Sequence, residues 1–219
     1  MPKGSKGVLT IFLIDVCAGA IYGLRTKAIH KSQTVAQEMP VRMRGNLQGG
    51  LKIVEYIDFQ CPACANGVKI LHQYLEKYPN QILLEIKYFP LAMHAHGMES
   101  AVYGECAAQQ GKFWPYFDLL IEKQKQWAEL IDANPALRWI GQEAGLNLNK
   151  LDACIKGEEA GKVVARDMVE GQMLGVQSTP TYFINKTMVV GTISLEKQLK
   201  AYFNEDAVSP PMSLKPSVK

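Results

Sequence analysis

The chain has 219 residues, 47% of them apolar and 21% charged, with a formal net charge of +3. That much apolar material can bury a substantial core in one domain with an insertion, or in a small two-lobed fold, without needing a disulfide scaffold. The positive balance is local: residues 1–50 hold seven Lys and Arg against two acids, whereas residues 51–205 hold 15 against 18. The mildly acidic body gives no ground for a nucleic-acid interface.

In chain order, Lys3 and Lys6 precede a mainly apolar run over residues 7–24, the pattern of an export signal or a signal-anchor. Ala18-Gly19-Ala20 offers a small-residue cleavage site, and an uncleaved run would tether the protein to a membrane through residues 7–24. Asp15 lies inside the run, where a charge costs about 2.5–3.5 kcal/mol on insertion scales. With Arg25, Lys27 and Lys31 on the far flank, a soluble amphipathic helix stays open as the alternative. Cys17 follows Val16 rather than the small residue of a lipoprotein signal, and reads as one more apolar residue of the run. Residues 25–50 are polar and basic, end in Gln48-Gly49-Gly50, and read as a linker and turn.

Residues 51–59 are rich in β-branched and aromatic side chains and read as a buried strand. Phe59-Gln60-Cys61-Pro62-Ala63-Cys64 follows, and then Val68, Leu71, Leu75 and Tyr78 recur at helical spacing until Pro79-Asn80. Cys61 therefore stands at a helix N-terminus. The unpaired amides there favour a thiolate, which makes Cys61 the candidate nucleophile. Cys64, one turn on, is the candidate resolving thiol of a redox-active disulfide. Pro62 suits the first helical turn. Residues 82–89 read as a second strand, and the strand–helix–strand order predicts a parallel pair.

From about residue 97 to 175 the pattern is helical. Cys106 and Cys154 fall in this region, either as a structural disulfide or as two buried free thiols. His94 and His96, taken with the cysteines, raise a metal-carrier alternative, although one Cys-x-x-Cys falls short of the two ligand pairs usual for zinc. Short strands over residues 181–185 and 188–190 make a hairpin through Asn185-Lys186. Ser194 is expected to cap a final helix, and residues 206–219, rich in proline, read as a disordered tail. Trp114, Trp127 and Trp139 read as core residues.

The run from Glu55 to Cys64 resembles the active-site strand and turn of the DsbA-like branch of the thioredoxin superfamily. Phe89-Pro90-Leu91, the run Gln110-Gly111-Lys112-Phe113-Trp114 and the run from Gly175 to Asn185 extend the likeness over roughly residues 45–203. The resemblance implies an α/β thioredoxin fold over residues 51–205, with a helical lobe inserted at about 97–175 that lies over the active site. It implies a cis bond at Thr179-Pro180, packed against the cysteines and open to an extended substrate. An ordinary trans proline at a strand's start is the alternative. It assigns Glu55 as a buried acid serving Cys64, against a solvated carboxylate at an edge. Asp58, nearer the turn, reads as solvated. Pro62 and Ala63 tune the pair and, with Thr179 and Pro180, contact substrate. Their lack of the histidine in Cys-Pro-His-Cys predicts a potential between about −270 and −120 mV. The activity implied is that of an exported thiol-disulfide oxidoreductase forming disulfides in cysteine-containing proteins, in the periplasm or another extracytoplasmic compartment, without a cofactor, reoxidised by a quinone-coupled membrane oxidase. A reductase or isomerase running the same steps in reverse, and a peptide-binding module without turnover, are the alternatives.

Overall fold

The computed structural model describes residues 39–204. The signal or anchor read at 1–24, Cys17 within it, the first part of the 25–50 linker and the tail at 206–219 lie outside the described residues. Among the described residues, no helix is long and apolar enough to cross a membrane.

Five strands are described: β1 (Met43–Gly45), β2 (Leu51–Ile57), β3 (Ile82–Tyr88), β4 (Thr181–Ile184) and β5 (Thr187–Val190). They form one sheet in the order β1-β3-β2-β4-β5. β2 and β3 are parallel, joined by helix α1 (Pro62–Lys77), as the strand–helix–strand pattern predicts. β4 runs antiparallel to β2, and β5 antiparallel to β4. The β4–β5 turn is the expected hairpin, with Asn185 and Lys186 both at positive φ (46° and 77°), the backbone that suits the twist of a two-residue turn.

Between β3 and β4 come α2 (Gly97–Gln109), α3 (Phe113–Glu122), the single turn α4 (Gln124–Trp127), α5 (Asn134–Glu143), α6 (Leu148–Lys156) and α7 (Glu159–Met173). This is the inserted helical lobe. The amphipathic face of α3 buries Phe113, Tyr116, Phe117, Leu120 and Ile121, and Phe117 meets Phe59 edge to face at 5.6 Å. The lobe core thereby continues into the residue that leads to the Cys-x-x-Cys. Trp127 is fully buried, Trp114 half-buried and donating to the Met43 carbonyl, while Trp139 is exposed beneath Lys123. Helix α8 (Thr192–Tyr202) packs beside α1. Ser194 lies within its first turn rather than capping it, because Gly191 at φ 79° already turns the chain into the helix.

The linker reading of residues 25–50 is corrected at its end, where Met43–Gly45 forms an edge strand antiparallel to β3. Its anchor is distant in sequence: Arg42 pairs with the fully buried Asp167 of α7, which also accepts from the Tyr88 amide. A three-residue strand with basic flanks carries no periodicity to announce it. Gly45 ends the strand at φ 106°, and a Cβ there would lie 2.2 Å from the Ile82 carbonyl oxygen. Gly45→Ala is expected to cost about 3 kcal/mol, combining a conformation L residues avoid with a backbone clash. A denaturant melt with an unchanged midpoint would contradict this.

Candidate active site

The site is built at the end of the parallel strands, where β2 runs through Asp58, Phe59 and Gln60 into α1. Cys61 is the N-cap residue, with an extended backbone (φ −73°, ψ 120°), and Pro62 opens the helix. Cys61 is 7% exposed and Cys64 0%, and both are free thiols. The outer sulfur can meet a substrate while the inner one cannot.

Their acidities diverge. Cys61 is pulled down to about 5, chiefly by a hydrogen bond from the Cys64 thiol that outweighs its own desolvation. The amides of Cys64 and Ala63 add to the effect. The sequence-based argument from helix amides thus names a contributing cause, and the neighbouring thiol is the larger one. Cys64 moves the other way: burial pushes its thiol well up, and the Cys61 sulfur and Glu55 reinforce the shift.

Strand alternation places Glu55 on the face of β2 that it shares with Leu51, Ile53 and Ile57, beneath α1. It is 0% exposed, and burial raises its carboxyl to about 8, with Tyr182 partly offsetting the rise. Of the two readings of Glu55, the structure places it where the buried one requires. The Thr179–Pro180 peptide is cis, and the Thr179 carbonyl oxygen accepts from the Cys61 thiol at 3.5 Å.

Asp58 is corrected: it is 1% exposed, not solvated. Its carboxylate accepts from the Gln60 amide (2.8 Å), the Leu91 amide (2.7 Å) and His94 Nδ1 (2.7 Å). It ties the Cys61 turn to the loop after β3. An aspartate two residues before an amide it can turn back on was the available signal. His94 and His96 are both engaged structurally, since His96 Nε2 lies 2.7 Å from the Leu130 carbonyl oxygen. Among the described residues, no three His, Cys, Asp or Glu side chains come together to hold a metal ion.

Sequence reasoning also missed Gln124, whose Nε2 donates to the carbonyls of Phe59 (2.7 Å) and Cys61 (3.0 Å) from the lobe. Nothing local marks it. Gln60 donates in turn to the Ala128 carbonyl at 2.7 Å, so the lobe and the turn are fastened in both directions. Cys106 of α2 and Cys154 of α6 are bonded, with Cα atoms 5.8 Å apart.

A family model for thioredoxin (Thioredoxin_4) matches residues 38–203, nearly the whole described chain. The chain belongs to this thioredoxin family. Its fold is similar to that of Wolbachia pipientis alpha-DsbA1, with a TM-score of 0.64 and 19% identity over 75% of this chain and 89% of that one. It is also similar to a periplasmic thioredoxin-like protein from Salmonella enterica serovar Typhimurium, with a TM-score of 0.61 and 20% identity over 79% of this chain and 94% of that one. A curated relative, the Na(+)/H(+) antiporter NhaA of Herminiimonas arsenicoxydans, is 26% identical over 150 residues, covering 68% of this chain and 23% of that protein. The chain thus spans under a quarter of the length of that relative.

Proposed function

We propose that this thioredoxin-family chain is an exported thiol-disulfide oxidoreductase that forms disulfides in cysteine-containing proteins. One arrangement carries the reading: an outer thiol at a helix N-cap, a sealed thiol one turn on and a carboxyl buried beneath them, surroundings that drive the Cys61 acidity down and that of Cys64 up. In the oxidised enzyme a substrate thiolate attacks Cys61 Sγ, forming the mixed disulfide and displacing Cys64. Glu55, protonated at neutral pH, gives its proton to the departing Cys64 sulfur. A second substrate thiolate then attacks the substrate sulfur of the mixed disulfide and releases Cys61 as a thiolate, a good leaving group because of its acidity. The substrate loses two electrons and gains a disulfide, and the enzyme holds the dithiol.

Substrate recognition follows from the same surroundings. The backbone of Thr179 can pair with an extended peptide, beside Pro180, Pro62 and Ala63. Met93, Leu130 and Ile131 are exposed on loops fastened to the active-site turn through Asp58, Gln60 and His96, an apolar surface suited to unfolded chains. An extracytoplasmic location agrees with the Cys106–Cys154 bond, since disulfides persist in oxidising compartments, and with the export pattern of residues 1–24. Reoxidation is assigned to a quinone-coupled membrane oxidase.

The test is refolding of reduced ribonuclease by the oxidised protein at stoichiometric concentration. Recovery of ribonuclease activity with appearance of free Cys61 and Cys64 is expected. Reduction of insulin by the dithiol form without any ribonuclease reactivation would assign the reverse direction instead.

A further inference from the structure

Glu55 and Tyr182 are directly opposite each other in the β2–β4 register, so their side chains leave the sheet side by side on the face beneath α1. Both residues are 0% exposed. Among the described residues, neither carboxylate oxygen of Glu55 nor the Tyr182 hydroxyl makes a well-formed hydrogen bond, to each other or to any third group. Groups so placed are costly to bury unless they serve each other. Space for the hydroxyl is made by α1: a Cβ on Gly67, three residues beyond Cys64, would lie 2.0 Å from the Tyr182 oxygen. An aromatic ring at this strand position would satisfy the core without that oxygen, and its end carbon alone would leave a Cβ on Gly67 a tight 3.3 Å contact in place of the 2.0 Å clash.

We infer that Tyr182 is a positioning residue for the proton transfer between Glu55 and Cys64, its hydroxyl holding the Glu55 carboxylate in the orientation from which it takes and returns the Cys64 proton. The inference rests on the thiol-disulfide reading of the site. When Cys64 departs from the disulfide, the Glu55 proton goes to the Cys64 sulfur and the new carboxylate accepts from the Tyr182 O–H. When Cys64 attacks a mixed disulfide, its proton returns to Glu55. The tyrosine keeps its own proton throughout, because burial first, and then the Glu55 charge, push its ionisation far above the ordinary phenol range.

Tyr182→Phe removes the oxygen and keeps the ring. The readout is the pH dependence of Cys64-dependent release of glutathione from a Cys61–glutathione mixed disulfide, followed in single turnover. In the wild type the rate should rise through a midpoint near the Glu55 value of about 8. Losing a hydrogen bond that favours the carboxylate should move this midpoint up by about one unit and slow release about tenfold at pH 7. The pH dependence of Cys61 alkylation should stay where it is. Glu55→Gln should flatten the profile, and adding Tyr182→Phe to it should then change nothing, as expected of two groups acting as one unit. Gly67→Ala, which displaces the hydroxyl without removing it, should shift the midpoint in the same direction, and so covers the case of a poorly folding Tyr182→Phe. An unmoved midpoint in Tyr182→Phe, or additive effects with Glu55→Gln, overturns the inference while leaving Cys61-dependent exchange standing. Exchange that survives Cys61→Ser overturns the reading beneath it as well.

Discussion

Cys61→Ser is expected to abolish exchange with both ribonuclease and insulin, whereas Cys64→Ser should still react with disulfide substrates and accumulate as a mixed disulfide on Cys61. The asymmetry is expected from exposure and acidity together, since the outer sulfur is the accessible thiolate and the inner one is sealed beneath it. Alkylation of the reduced wild type by iodoacetamide should follow a single ionisation near pH 5. The sign of the linked stability follows directly. A thiol ionising near 5 in the folded dithiol protein and near 8.5 when unfolded stabilises the reduced fold progressively above pH 5, fully so above the unfolded value. At pH 7 two of those pH units are realised, about 3 kcal/mol at 1.36 kcal/mol per unit. That advantage disappears as pH falls through 5, and the disulfide form, with no thiol to ionise, lacks it throughout. Compared with a thioredoxin cysteine ionising near 7, the extra thiolate stabilisation at pH 7 is about 2.3 kcal/mol, or about 50 mV. A potential near −220 mV is expected, inside the range read from Pro62 and Ala63. A glutathione titration placing the pair at or below thioredoxin's −270 mV would contradict the link between the acid thiol and oxidising power.

The second large effect is expected in the lobe. Cys106 and Cys154 are separated by 48 residues, and closing a loop of that length restricts the unfolded chain by about 4 kcal/mol in the entropic model. Replacing both by alanine should therefore lower the melting temperature by about 8–16 °C, at roughly 2–4 °C per kcal/mol for a chain of this size. The bond joins α2 to α6, and α2 also supplies Gly104, packed within contact distance of the Phe59 ring. Loosening the lobe should thus be felt at the active-site turn only near the transition. Calorimetry on the double variant decides the matter: a melting temperature within 2 °C of the wild type would mean that the bond does not restrain the unfolded chain.

The legible part of the fold was the part written in local pattern. Strand β2, the Cys-x-x-Cys at its end, the one-sided helix after it and the Asn185-Lys186 hairpin each follow from periodicity or backbone preference within a few residues. Helix α6, by contrast, buries only Leu151 and gave no comparable signal. Cys106 and Cys154 could be counted but not paired, since spacing says nothing about which helix faces which. Asp58 was misjudged because its three donors come from Gln60, Leu91 and His94, and two of these lie on the far side of β3.

From its sequence alone this protein declared where its candidate nucleophile stands, what kind of sheet lies behind it and that a helical lobe interrupts that sheet, because these are properties of neighbouring residues. Tertiary structure decided which groups surround the sulfurs. Arg42 finds Asp167 across 125 positions, Gln124 reaches the Cys61 carbonyl across 63, and Tyr182 comes opposite Glu55 only when β4 pairs with β2. Acidity and proton transfer depend on burial and on distances of a few ångströms, and those are settled only when remote segments pack together.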